Sequence, residues 1–126
     1  MTELDLEEKL AFEFPAAQEM RDKHHEFQMK MAVIAKKFAY EYLGNFLDDF
    51  KYMLELQGYA VLAISTSQFK VLPEGVPEAY REVFTMRIVE QIEAFLESRK
   101  YTVNRKVFND PNLFDSGFVY ELKVMM

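Results

Sequence analysis

Asp22, His25 and Glu26 are spaced three and four residues apart, so a helix brings them to one face. Asp22-Lys-His-His25 also has the carboxylate-x-x-His spacing that helical bundles use to hold metal pairs. Glu90, Glu93 and Glu97 share a face of a second helical segment in the same way. Two such helices in each of two chains would make a four-helix metal site. The competing expectation is simpler, since carboxylates at these spacings are what a solvated amphipathic face carries. No metal and no cofactor is expected, and Asp22, His25 and Glu26 are kept as the weaker alternative.

Other chemistry is sparse. The serines (Ser65, Ser67, Ser98, Ser116) lie in no glycine-framed nucleophile elbow, and no glycine-rich phosphate loop is present. The chain has no cysteine, which removes disulfides, thiolate catalysis and zinc–thiolate sites. Lone Asp48-Asp49 reads as a solvated step between Leu47 and Phe50. A non-catalytic protein is the expectation.

The element that must position most of these residues is a long helix from Ala16 to Gln57. Met20, His24, Phe27, Met31, Ile34 and Phe38 recur at steps of four and three, the seam pattern of a coiled coil. Beyond Phe38 the steps change, through Tyr42, Phe46, Phe50 and Met53, and Leu43, Leu47 and Leu54 widen the apolar face. The narrow half predicts an interface with another helix, most simply from a second copy in a two-fold dimer. The broad half predicts a globular core. Gly44 stands at the change and allows a kink there. His24 lies on the seam, where a polar side chain can set register or sense pH.

The remaining elements follow in order. Residues 1–8 form an acidic lead, and Lys9 to Phe14 alternates polar and apolar, which predicts a short edge strand. Pro15 suits a helix start and Gly58 a helix stop. Tyr59 to Ser65 is apolar on both faces and predicts a central strand. Thr66 to Pro77 reads as a loop, with an extended piece at Phe69 to Leu72. A second helix is expected from Glu78 to Lys100, then a hairpin of Tyr101 to Phe108 and Phe118 to Val124 around a turn-rich Asn109 to Gly117. In the last strand Phe118, Tyr120, Leu122 and Val124 share one face, with Glu121 and Lys123 opposite. A faint repeat runs through this layout. Met53-Leu54-Glu55 precedes Tyr59-Ala-Val61 at the spacing by which Phe95-Leu96-Glu97 precedes Tyr101-Thr-Val103.

The expected fold is therefore a single α+β domain over 1–126, with long and short helices on a small, mainly antiparallel sheet that ends in a hairpin. Half the 126 residues are apolar and 29% are charged, the balance of a globular chain. No apolar run approaches the length of a membrane span, and the acidic start is unlike a signal peptide, so a cytoplasmic location is expected. The net charge of −6 argues against nucleic acid. It is unevenly spread, with acids over 1–19 and Arg21, Lys23, Lys30, Lys36 and Lys37 soon after. Arg105 and Lys106, with Leu113 and Phe114 at the hairpin tip, are candidate partner contacts. Small size, acidity and the lack of chemical motifs suit an adaptor, chaperone-like or inhibitory accessory protein of the kind phages and mobile elements make. A structural component of a larger assembly and a metal-binding enzyme are the alternatives.

Overall fold

The computed structural model describes residues 2–66, 71–109 and 117–126. It is an α+β protein: α1 (Glu3–Glu13), α2 (Ala17–Gln57), β1 (Tyr59–Ser65), a 3-10 turn (Glu78–Tyr80), α3 (Arg81–Ser98), β2 (Thr102–Asn109) and β3 (Phe118–Met125). The chain divides into two compact units, Met1–Lys30 and Met31–Met126. Leu113 and Phe114, and the start of the extended piece expected at Phe69 to Leu72, lie outside the described residues.

In the first unit the expected edge strand is replaced by α1. The alternation of Leu10, Phe12 and Phe14 spans only five residues, and a stronger local signal overrides it. Thr2 and Asp5 form a capping box: Asp5 N–H donates to Thr2 Oγ1 at 3.3 Å and Thr2 N–H donates to Asp5 Oδ2 at 3.2 Å. Helix-forming Glu, Lys, Leu and Ala then fill the turns, and Phe14 N–H closes the helix on the Leu10 carbonyl at 2.8 Å. The first turns of α2 carry the pair Lys23–Glu19 and a hydrogen bond from Gln18 to Asp22.

The second unit holds the core. The sheet order is β1-β3-β2, all antiparallel, so β3 is the central strand and β1 lies at an edge. This corrects the expectation for Tyr59–Ser65. Its Ala60, Leu62 and Ile64 are buried while Tyr59 and Ala63 are exposed, a one-face pattern hidden by the run of apolar residue types. Across the sheet Leu62 pairs with Leu122, and Leu122 with Arg105, so these share the helix-covered face. Tyr120, Leu122 and Val124 are buried there, as their alternation requires. At the far end Phe118 N–H donates to Thr66 Oγ1 at 3.3 Å.

Helix α3 supplies the widest buried stripe: Phe84, Thr85, Ile88, Val89, Ile92 and Leu96. Buried Thr85 satisfies its hydroxyl by donating to the Arg81 carbonyl at 3.0 Å. From α2, Phe38 meets Phe84 edge-on with centroids 6.0 Å apart, and Phe50 meets Tyr101 at 5.5 Å. Tyr42 donates its hydroxyl to the Ala63 carbonyl at 3.3 Å, and burial raises its pKa above the usual phenol value. Helical structure is unbroken through Gly44, where the sequence allows a kink.

The two helix-to-strand corners each turn on one left-handed residue and close with different hydrogen bonds. Gly58 adopts φ +82° and its N–H donates to the Leu54 carbonyl at 3.0 Å. Lys100 adopts φ +74°, and Tyr101 N–H donates to the Leu96 carbonyl at 3.1 Å, closing a Schellman motif. Leu54, Gly58 and Tyr59 thus correspond to Leu96, Lys100 and Tyr101, the same positions that the sequence repeat aligns. The likeness ends in the sheet. Tyr59 and Thr102 both pair with Met125, a slip of one residue that reverses which side chains face the helices. Similar corners, rather than similar strands, account for the repeat.

Candidate functional site

The first unit presents apolar side chains to solvent along its whole length. Leu4, Leu6, Leu10, Phe12, Phe14, Met20 and Met29 are 47–91% exposed, and α1 has no buried residue. Isolated exposed leucines are ordinary, whereas a run of this density marks a surface that meets something else.

The expected seam is divided by this structure. Met20 and His24 are exposed and Phe27 is half-buried. Met31 is buried in the second unit, Ile34 is half-buried, and Phe38 is spent on Phe84. The stripe that enters the core is Met31, Ala35 and Ala39, at steps of four. Ala35 and Ala39 carry little apolar signal in the sequence because their side chains are small, yet smallness permits close helix approach.

Among the described residues no group of three or more His, Asp or Glu side chains is placed to hold a metal ion. Asp22 accepts from Gln18 Nε2 at 2.8 Å, and Arg87 holds Glu90 at 3.0 Å. Glu93 is taken by Arg105, so two of the three acids on this face of α3 are already paired with arginines.

Of the basic candidates, Arg105 lies on the helix-covered face of β2, bound to Glu93 and 6.0 Å from the Tyr120 ring centroid. Lys106 is exposed on the opposite face. Strand alternation separates the two, so they do not form one contact patch.

An open groove of about 340 Å³, which no motif in the sequence marks, lies where α2 and α3 approach their corners. Its walls include Phe46, Leu47 and Phe50 of α2, Phe95 and Leu96 of α3, and Tyr101. Lys51 and Arg99 are its charged lining residues, and Arg99 sits 6.0 Å over the Phe95 ring. The broadened stripe at Leu43, Leu47 and Leu54 was its sequence signal. Finding the second wall required knowing how α3 packs.

No family model, no curated relative and no solved structure matches the chain. Among the described residues, no helix is long and apolar enough to cross a membrane.

Proposed function

We propose that this protein is a non-catalytic protein-interaction module that acts as a homodimer, in the manner of an adaptor, chaperone-like or inhibitory accessory protein. The observation that carries this reading is the exposed apolar surface of Met1–Lys30, where Leu6, Leu10, Phe14 and Met20 are 47–75% exposed. Flexible methionines there suit a surface that adapts to its partner. Buried Met31 and core-packed Phe38 restrict the proposed contact to the first part of the seam, Met20, His24 and Phe27, together with α1.

The test is the oligomeric state of Met20→Glu combined with Phe27→Glu. A dimeric parent should give a folded monomer, with helicity and thermal melting of the second unit retained. A variant that remains dimeric would remove the seam from the interface. Asp22→Ala and His25→Ala should leave dimerisation unchanged. A loss of assembly in either one, restored by a divalent metal, would instead favour the metal-binding alternative.

A further inference from the structure

We propose that the groove between the ends of α2 and α3 receives helix α1 from a second copy of this chain, so that two copies exchange their N-terminal helices. This deepens the homodimer reading and rests on it. The chain carries two exposed apolar surfaces flanked by opposite charge. One is the helix: Leu6 and Leu10 stand four apart on α1 and Phe14 caps its end, each exposed, with Glu7 and Glu13 beside them. The other is concave: the groove leaves Leu47 and Phe95 open to solvent at 47% and 36%. An amphipathic helix laid in such a groove buries both at once and is a recurrent mode of recognition.

Charge selects the occupant. The groove is flanked by the cations Lys51 and Arg99, whereas residues 1–19 hold Glu3, Asp5, Glu7, Glu8, Glu13 and Glu19 against Lys9. A basic or neutral helix would forgo that pairing, and α1 is the acidic apolar helix the chain itself provides.

The absence of native cysteine makes the test clean. Two full-length variants, Leu10→Cys and Leu47→Cys, are mixed and treated with a short bismaleimide. Exchange predicts a crosslinked heterodimer well in excess of the product from either variant alone. Lys51→Glu with Arg99→Glu should weaken dimerisation by about tenfold or more, and Glu7→Lys with Glu13→Lys in the same chain should restore it. A dimer that gives no heterodimer crosslink and ignores the charge reversals overturns the exchange while leaving the homodimer reading intact. A chain carrying both cysteines that crosslinks within itself as a monomer also overturns it. A wild-type chain that is monomeric at every concentration overturns both, whereas a dimer lost on charge reversal but indifferent to Met20→Glu with Phe27→Glu retains the exchange and discards the seam.

Discussion

Arg105 of β2 crosses the helix-covered face of the sheet and grips Glu93 of α3 with two nitrogens, Nε at 3.1 Å and the terminal NH2 on the other carboxylate oxygen. It is the one inward-facing charge opposite Leu122 in the pairing of β2 with β3, and its partner Glu93 is only 16% exposed. Removing Arg105 therefore leaves a largely covered carboxylate alone. Arg105→Ala should destabilise the second unit by roughly 1–2 kcal/mol, a figure already reduced for solvent screening. In a double-mutant cycle with Glu93→Ala, urea melts should show a coupling of about 1 kcal/mol. Strict additivity would mean that the pair contributes only separate packing.

Lys100 occupies the left-handed corner that Gly58 occupies in the preceding helix-to-strand turn. A β-carbon there costs about 1 kcal/mol that glycine avoids. Lys100→Gly should raise stability by about that amount, and Gly58→Lys should lower it at least as much. A destabilised Lys100→Gly would show that its side chain makes a contact worth more than the relief of strain.

Gly44 is exposed within unbroken helix, and a β-carbon added there meets no atom within 4 Å. Gly44→Ala should therefore stabilise α2 by about 1 kcal/mol, measurable as a rise of roughly 3–5 °C in Tm. A fall in Tm would indicate that the helix needs the glycine in order to bend.

The α1 cap is sensitive to pH through Asp5. Hydrogen bonds from the Thr2 hydroxyl and backbone hold the Asp5 carboxylate below its ordinary pKa. A depressed folded-state value means the cap is fully formed above the unfolded pKa near 4 and is lost as pH falls through the lower folded value. Amide chemical shifts of Leu4 to Glu7 should move toward coil values below about pH 4, and Thr2→Ala should make them coil-like at neutral pH. Unchanged shifts down to about pH 2 would show that the box does not hold the helix start.

Much of the second unit was legible because its signals are long or unambiguous. Four alternating positions in Phe118 to Val124 placed the inner face of β3, and Gly58 marked the end of α2. The first unit was misread where two short patterns competed: Leu10-Ala-Phe-Glu-Phe14 alternates, but the Thr2–Asp5 box and the Leu6/Leu10 spacing favour helix. β1 was placed in the middle of the sheet because Tyr-Ala-Val-Leu-Ala-Ile gives no polar residue to mark its open side. The groove was illegible for a different reason. Its walls lie some fifty residues apart in the chain and meet because the two corners finish at the same end of one sheet, on either side of β3.

The most direct test is native mass spectrometry of the wild-type protein purified without added metal. The account predicts a species at twice the chain mass of 14.9 kDa with nothing further bound, persisting to low micromolar concentration. A monomer throughout the concentration range, or a dimer carrying stoichiometric metal, would contradict it.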